Sequence, residues 1–407
     1  MHVEQFVDAR RGQPLWLRAT NRAGTLFPRF ATPSADDWWE EARRREPDTP
    51  DPTPEARAAL AALVDSIGRD MRLTFVGRYS ARDDTTRMAR THLRIERALR
   101  RDPTVLETPL PDPIFVVGWP RTGTTALHQL LARDPAHRTI PYWESFDPVP
   151  PETGPDRRIE RLDAMLGQLS RMAPSYDAIH PMEAEMPEEC VALFMNDFRT
   201  LQYDFQYRAP GYVAWLLAED PGIAYRGYLR QLRLVQHHRP TGRRLVLKDP
   251  THLVHLATVL ELFPAARVIF THRDPGTAIS SLCSLHAYTR ALFTDQVDPR
   301  ALGREVMEGH WPRARDSADR IRADLPAGRF ADVRHTDLVR DPIATVARAY
   351  ADLGLHLTAE ARAAMQRYVD REARAPRHRH VHSPEGFGLR REQIRERFAD
   401  YCRRFDL

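Results

Sequence analysis

The sequence predicts an α/β protein in which a parallel sheet is flanked by helices. Three short apolar runs, at residues 114–117, 245–247 and 267–270, have the length and composition of strands buried on both faces. Each run is followed by a turn and then by a segment with helical character. This alternation is typical of sheets whose parallel strands are joined by helical crossovers.

The composition of the 407 residues is that of a globular protein. Apolar residues make up 42% and charged residues 29% of the chain, and the net charge of +4 is only mildly basic. We find no basic block or zinc-finger spacing, which argues against a nucleic-acid partner. The three cysteines are far apart, no signal-peptide core follows Met1, and no apolar run reaches transmembrane length. We therefore expect a cytoplasmic protein.

Residues 1–110 predict a helical N-terminal region without a recognisable motif. A connector rich in proline and aspartate at 47–54 precedes an amphipathic helix that continues toward Phe75, and another helix is predicted over 86–99. The proline-rich segment 108–113 marks the expected boundary. A second domain over 111–407 would then contain the sheet.

A glycine-containing loop follows the first predicted strand, and a helix is predicted over 122–132. Gly118 and Gly123 stand five residues apart in this loop. The helix N-terminus offers unpaired N–H groups, Gly123 allows close approach of an anion, and two threonine hydroxyls add donors. We predict a P-loop-like site for phosphate or sulfate formed by Arg121, Thr122, Gly123, Thr124 and Thr125.

The loop differs from a Walker A sequence in lacking its lysine. Thr124 occupies the position of that lysine, and Arg121 supplies a cation from within the turn. A kinase or NTPase is therefore the less favoured alternative. A further alternative is purely structural: an ordinary turn between a strand and a helix, with glycines present by chance and no bound anion.

The use of basic residues is unusual, because 59 of the 60 are arginines and Lys248 is the one lysine. A chain so rich in arginine accepts arginine wherever any cation suffices, so this exception indicates a site that needs a compact ammonium. Arg121, Lys248 and Arg273 each follow one of the three predicted strands. If the strands are parallel, the three cations meet at one sheet edge and bind a ligand with several negative charges.

Carboxylates near this edge are candidates for proton transfer. Glu144 follows the loop helix at the end of a predicted short strand, where it could take a proton from an acceptor hydroxyl or pair with an arginine. Residues 150–240 predict a helical insertion, which is where an acceptor lid would be built. Its glutamates at 183–189 open a predicted helix, so stabilisation of the helix end is favoured over acceptor binding.

Taken together, these motifs resemble those of sulfotransferases that use 3′-phosphoadenosine 5′-phosphosulfate (PAPS). The segment 118–125 resembles the loop for the 5′-phosphosulfate, and Arg273 with Ser281 resembles the motif for the 3′-phosphate. Lys248 in its Leu-Lys-Asp-Pro context and Glu144 are similar to residues of the bacterial and tyrosylprotein branches. The resemblance covers residue 113 to the C-terminus.

The resemblance also implies roles for individual residues. Glu144 would be the general base, while Lys248 and Arg121 would stabilise the transition state, without a metal. His252 is similar to the base histidine of the cytosolic branch and is a second candidate, with a core histidine as the alternative. Residues 380–389 resemble the tail of the bacterial members, which implies a segment that closes over the donor.

The implied reaction is sulfonate transfer from PAPS to a hydroxyl of a small-molecule, lipid or natural-product acceptor. The product of the donor would be adenosine 3′,5′-bisphosphate. Two alternatives stay open from the residues alone: the kinase or NTPase, and a non-catalytic nucleotide-binding protein of the same fold.

Overall fold

A parallel sheet of five strands lies at the centre of the computed structural model, which describes residues 13–26, 34–174, 176, 180–295, 297–374 and 381–407. Within these residues the strand order is β2-β3-β1-β4-β5, and each pairing is parallel. The α/β class and the three predicted strands are confirmed. The strands are β1 (Ile114–Gly118), β2 (His137–Arg138), β3 (Arg244–Lys248), β4 (Arg267–His272) and β5 (Phe330–Arg334).

The central strands are buried on both faces, which explains why their sequences are continuous apolar runs. Along β1, Ile114 and Val116 pack into one hydrophobic cluster, whereas Phe115 and Val117 pack into another. This alternation follows from the two-residue period of a strand. The sheet therefore separates two layers of helices, as expected for a parallel sheet.

The described residues of the N-terminal region include four α-helices, and side-chain caps begin three of them. Ser34 forms a capping box with Asp37, and the hydroxyls of Thr53 and Thr74 accept backbone N–H groups of the helices that they precede. The two predicted helices of this region are confirmed, the second as part of a 27-residue helix. The helices are α1 (Leu15–Ala23), α2 (Ala35–Arg45), α3 (Pro54–Arg69) and α4 (Phe75–Arg101).

The helical insertion is confirmed between β2 and β3, preceded by the loop helix and one short helix. The helices from β1 to β3 are α5 (Thr124–Leu131), α6 (Tyr142–Phe146), α7 (Arg158–Met172), α8 (Val191–Met195), α9 (Gln202–Tyr207), α10 (Pro210–Ala218) and α11 (Pro221–His238).

The remaining helices connect β3, β4 and β5 and complete the C-terminal part. They are α12 (Thr251–Val254), α13 (Leu256–Leu262), α14 (Pro275–Phe293), α15 (Pro299–Glu308), α16 (His310–Asp324), α17 (His335–Arg340), α18 (Pro342–Asp352), α19 (Ala359–Arg374), α20 (Arg391–Arg397) and α21 (Ala399–Phe405).

Helix α14 links the sheet to the N-terminal helices. Thr277 is its one residue that is not buried. Ile279 and Leu282 pack into the cluster beside the sheet, whereas Leu292 and Phe293 pack with the N-terminal helices and part of the insertion. The boundary expected near residue 110 stays a prediction. In the described part of the chain, no helix is both long enough and apolar enough to span a bilayer.

Candidate active site

The loop between β1 and α5 has the backbone of an anion site. Gly123 has a φ of +95°, and a methyl group on it would lie 3.0 Å from His335 Cδ2. At Gly118 the added atom would lie 2.1 Å from Thr271 Oγ1. Both glycines are therefore required by the local geometry. The helix begins at Thr124, two residues later than predicted.

Thr122 braces this loop from inside. Its hydroxyl donates to the carbonyl of Trp119 at 2.6 Å and lies 2.6 Å from Thr271 Oγ1. The side chain is 1% exposed. Thr122 is one of the residues predicted to donate hydrogen bonds to an anion. Because its hydroxyl is already used, it could contribute only its backbone N–H.

The predicted cations Arg121 and Arg273 meet at the loop. Arg121 Nε donates to Ser281 Oγ at 3.1 Å, and Arg273 Nη1 donates to the carbonyl of Arg121 at 2.8 Å. Burial lowers the pKa of both guanidinium groups, and the charge of Arg121 lowers that of Arg273 further. A bound anion would relieve this repulsion. The structure thus brings together three of the sequence-predicted site residues.

Lys248 lies at the carboxyl end of β3 and is fully buried. Its ammonium donates to Thr125 Oγ1 at 3.2 Å and to Glu189 Oε1 at 2.7 Å. Burial would lower the pKa of Lys248, but the carboxylates of Glu189 and Glu188 outweigh burial and raise it. The predicted convergence of the lysine with the loop is confirmed, and it adds a carboxylate that the sequence did not single out.

Glu189 is held beside Lys248 by the backbone. The N–H of Cys190 donates to the carbonyl of Lys248 at 2.9 Å, and Pro187 bridges to Pro141. Helix stabilisation, the favoured prediction for these glutamates, is wrong for Glu189, because its carboxylate pairs with the lysine. The partners are 59 residues apart, so no local pattern could have revealed the pair.

A cavity opens in front of these groups, and its volume, including the open mouth, is about 1080 Å³. The loop residues Arg121, Thr124 and Thr125 line one part of it. The carboxylates of Glu188, Glu189 and Asp249 also border the cavity. The lining is mixed: polar side chains such as Gln202, Asp204 and His286 occur together with the apolar side chains of Met182, Leu201, Phe205, Leu282, Leu285 and Trp311.

Asp249 adds a second unusual carboxyl to this site. Burial, followed by the negative charge of Glu189, raises its pKa to about 7. One oxygen accepts the N–H of Thr251 at 2.8 Å. The opposite pKa shifts of Glu189 and Asp249 show that the two carboxylates repel and that Lys248 favours the charge on Glu189.

Glu144, the predicted base, is not among the residues that line this cavity. It lies inside helix α6 rather than at a strand end, with its side chain 3% exposed. Arg138 Nη2 binds both its carboxylate oxygens, at 2.9 and 3.1 Å. The buried carboxylate is thus paired with an arginine, as the alternative interpretation expects, and its role as base stays a prediction.

His252, the second candidate base, lies in the core. It is fully buried, its Nδ1 lies 2.8 Å from Tyr225 Oη, and its ring meets Phe115 edge to face at 4.9 Å. Burial lowers its pKa to about 3. The neighbouring Thr251 lines the cavity, but His252 does not. This placement agrees with the alternative of a core histidine, and the catalytic role of His252 stays a prediction.

The C-terminal segment contacts helix α14 beside Ser281. His382 Nδ1 is 2.9 Å from Ser280 Oγ, next to Ser281. His380, the first residue of the predicted closing segment, lies outside the described residues. Among the residues that are described, no group of three or more histidine, cysteine or carboxylate side chains could hold a metal ion.

Two solved structures resemble this fold over most of the chain. Sulfotransferase STF9 from Mycobacterium avium superposes with a TM-score of 0.83 at 28% identity, covering 93% of this chain and 99% of that one. Sulfotransferase STF1 from Mycobacterium tuberculosis H37Rv gives 0.78 at 30% identity, with coverages of 91% and 99%. Both likenesses include the P-loop-like sheet and its flanking helices.

Curated relatives agree with these structures. The omega-hydroxy-beta-dihydromenaquinone-9 sulfotransferase Stf3 of Mycobacterium bovis and Mycobacterium tuberculosis is 30% identical over 270 residues, which is 62% of this chain. The chain spans 65% of the length of these relatives. The sequence pattern of the Sulfotransferase family matches residues 113–359, more than half of the chain, so this protein belongs to the sulfotransferase family.

Proposed function

We propose that this protein transfers a sulfonate group from PAPS to a hydroxyl of a largely apolar small molecule or lipid. One observation carries the proposal: Lys248 connects the anion loop, through Thr125, to a cavity-lining carboxylate. A cation at this position can stabilise charge on a leaving oxygen held by the loop. Family membership argues against the kinase or NTPase alternative.

The donor would occupy the loop and the neighbouring arginines. The backbone N–H groups at the start of α5 and Arg121 would bind the 5′-phosphosulfate. Arg273 and Ser281 would bind the 3′-phosphate, as the resemblance implies. Because Arg273 also binds the carbonyl of Arg121, the two ends of the donor would be recognised by one connected set of groups.

The acceptor would bind in the cavity in front of Lys248. Met182, Phe205 and Leu285 are among its lining residues and would provide apolar contacts for a hydrocarbon body. The Stf3 relatives are named for an omega-hydroxylated menaquinone derivative, which is also a hydrophobic molecule with a reactive hydroxyl. The proposed acceptor class therefore rests on both the wall chemistry and the relatives.

The chemistry follows from where charge develops. Sulfonate transfer, by analogy with phosphoryl transfer, passes through a loose in-line transition state, with negative charge growing on the bridging oxygen. Lys248, Arg121 and the loop N–H groups would neutralise that charge, and the cavity would hold the acceptor oxygen in line. These steps need only the two substrates and groups of this chain.

Calorimetry on the full chain tests the donor site. We expect adenosine 3′,5′-bisphosphate to bind more tightly than adenosine 5′-phosphate and ATP, and Arg273→Ala to weaken bisphosphate binding about 10- to 100-fold through loss of a charged contact. Arg267→Ala is the matched control, because Arg267 begins the same strand and binds the carbonyl of Leu353. Equal affinity for all three nucleotides would contradict the proposal.

Transfer to an acceptor separates an enzyme from a binding protein. With PAPS and a panel of long-chain alcohols and phenols, we expect formation of a sulfate ester and of the bisphosphate in equal amounts. Bisphosphate binding without any transfer across the panel would favour the non-catalytic alternative.

A further inference from the structure

We propose that Glu189 is the general base that removes the proton of the acceptor hydroxyl. The assignment rests on the proposed function, because it names the proton acceptor of that reaction. It replaces Glu144, whose carboxylate is sealed by Arg138. The geometry that supports Glu189 consists of its place in the cavity, its bond to Lys248 and the backbone that holds it.

Glu189 reaches both the cavity and the transferring group. It lines the cavity with its side chain 23% exposed, whereas Glu188 beside it is 6% exposed. Its Oε1 is 2.7 Å from Lys248 Nζ, which is itself 3.2 Å from Thr125 Oγ1. An acceptor oxygen in line with a sulfonate at Thr125 would therefore lie next to this carboxylate.

Rigid backbone contacts hold the carboxylate in position. The bond from Cys190 N to the Lys248 carbonyl fixes the residue after Glu189 to the end of β3. On the other side, the N–H of Glu188 contacts the carbonyl of Ile140 at 3.4 Å. A base anchored on two sides loses little orientation on substrate binding.

The surrounding charges keep Glu189 ready to accept a proton. Burial would raise its pKa, but the positive charge of Lys248 outweighs burial and lowers it. The carboxylate is thus ionised before the reaction. Titratable groups that influence or feel its charge come from several elements: Lys248, Asp249, Arg121, His128, Tyr176 and His180.

The same pair explains how the base strengthens during the reaction. As the bridging oxygen of the phosphosulfate becomes negative, it competes with Glu189 for Lys248. Loss of that partner raises the proton affinity of the carboxylate at the moment when the proton must be held. Proton removal and departure of the leaving group are therefore coupled through one ammonium.

The proposed step balances in atoms and charge. The O–H bond of the acceptor breaks and its proton passes to a carboxylate oxygen of Glu189. The acceptor oxygen forms a new bond to sulfur with its own electron pair. The bond between sulfur and the bridging oxygen breaks, and its electron pair stays on the nucleotide phosphate. Glu189 later releases the proton to solvent.

Acceptor acidity distinguishes a base from a residue that only positions Lys248. At a mildly alkaline pH we compare kcat/KM for 1-decanol, which must be deprotonated, with that for 4-nitrophenol, which is then largely ionised in solution. Glu189→Gln is expected to lower the value for 1-decanol about 10²- to 10⁴-fold and that for 4-nitrophenol less than about 10-fold. Lys248→Ala is expected to lower both, because both reactions share the leaving group.

Two further variants control for structure. Glu185→Gln is the matched control, because Glu185 is an exposed glutamate of the same segment that does not line the cavity, and it should leave the ratio of the two kcat/KM values unchanged. Glu189→Asp should recover part of the decanol activity. Calorimetry with adenosine 3′,5′-bisphosphate shows whether each variant retains the donor site.

The outcomes separate this assignment from the proposed function. Equal losses for both acceptors in Glu189→Gln, or a selective loss of decanol activity in Glu144→Gln or Glu188→Gln instead, would overturn the role of Glu189. Failure of the wild-type protein to transfer sulfonate to either acceptor or to any other hydroxyl in the panel would overturn the proposed function itself.

Discussion

At the scale of single residues, Lys248 shows what composition can reveal. Its status as the only lysine singled it out before any contact was known. The structure places its ammonium between Thr125 and Glu189 with no exposure to solvent. A guanidinium is larger and planar, and the buried space around Nζ would have to open to admit one.

The first prediction concerns this lysine. Removing a preorganised charged donor of this kind costs about 3 to 4 kcal/mol in the transition state, so Lys248→Ala should lower kcat on the order of 10²- to 10³-fold. Lys248→Arg should also lower kcat, although arginine keeps the positive charge. Steady-state rates with PAPS test both variants, and near-normal turnover in either would contradict the role.

Glu144 and His252 show the limit of residue-level reasoning. Glutamate and histidine can both act as bases, and the sequence predicts both residues near the carboxyl ends of the strands, where a ligand is expected. Which way a side chain faces depends on partners such as Arg138 and Tyr225, which local spacing cannot supply. The same holds for Glu189, which lies in a loop and whose partner Lys248, at the end of β3, is 59 residues away in the sequence.

At the scale of elements, prediction from the sequence was more successful. The strands β1, β3 and β4 and the loop helix were identified because their signals are local: apolar runs, glycine turns and helical periodicity. The short strand expected before Glu144 was shorter than predicted, with only His137 and Arg138 in it. Pro141 then begins a helix, because its fixed φ suits the residue before a first turn.

A second prediction concerns the anion loop. Gly123→Ala should lower the free energy of unfolding by about 1 to 2 kcal/mol, because the residue has a positive φ. It should also weaken bisphosphate binding, since the added methyl group would press on His335.

The control for this variant separates strain from binding. Gly328 has a φ of +84°, and an added methyl group would meet nothing within 4 Å. Gly328→Ala should therefore reduce stability without changing bisphosphate affinity. Chemical denaturation and calorimetry measure the two effects, and equal losses of affinity in both variants would argue against a special role of the loop.

At the scale of the whole molecule, buried histidines predict sensitivity to acid. Burial lowers the pKa of His128 and His252 to about 3, and those of His272, His310 and His335 to about 4. In the unfolded chain these groups bind protons below about pH 6.5. The unfolded state therefore gains protons first, and stability should fall as the pH drops from about 6.5 toward 3.

A third prediction isolates one of these groups. His252→Gln removes the titration but keeps a polar atom near the hydroxyl of Tyr225. The slope of unfolding free energy against pH should become shallower by about 1.4 kcal/mol per pH unit between about pH 4 and 6. Turnover at neutral pH should stay within a few fold of the wild type. Denaturant titrations across pH measure the slope, and a loss of turnover by orders of magnitude would restore His252 as a base.

The burial of helix α14 has a consequence for how this protein can change over evolutionary time. The helix begins beside Arg273, carries Ser281, and ends among the N-terminal helices at Phe293. An exchange of the N-terminal region for an unrelated one would strip the cover from the second half of this helix. The N-terminal region and the part of the chain that contains the sheet are therefore expected to be inherited together. New acceptor preferences are expected to arise by point substitutions in the cavity wall rather than by exchange of whole regions.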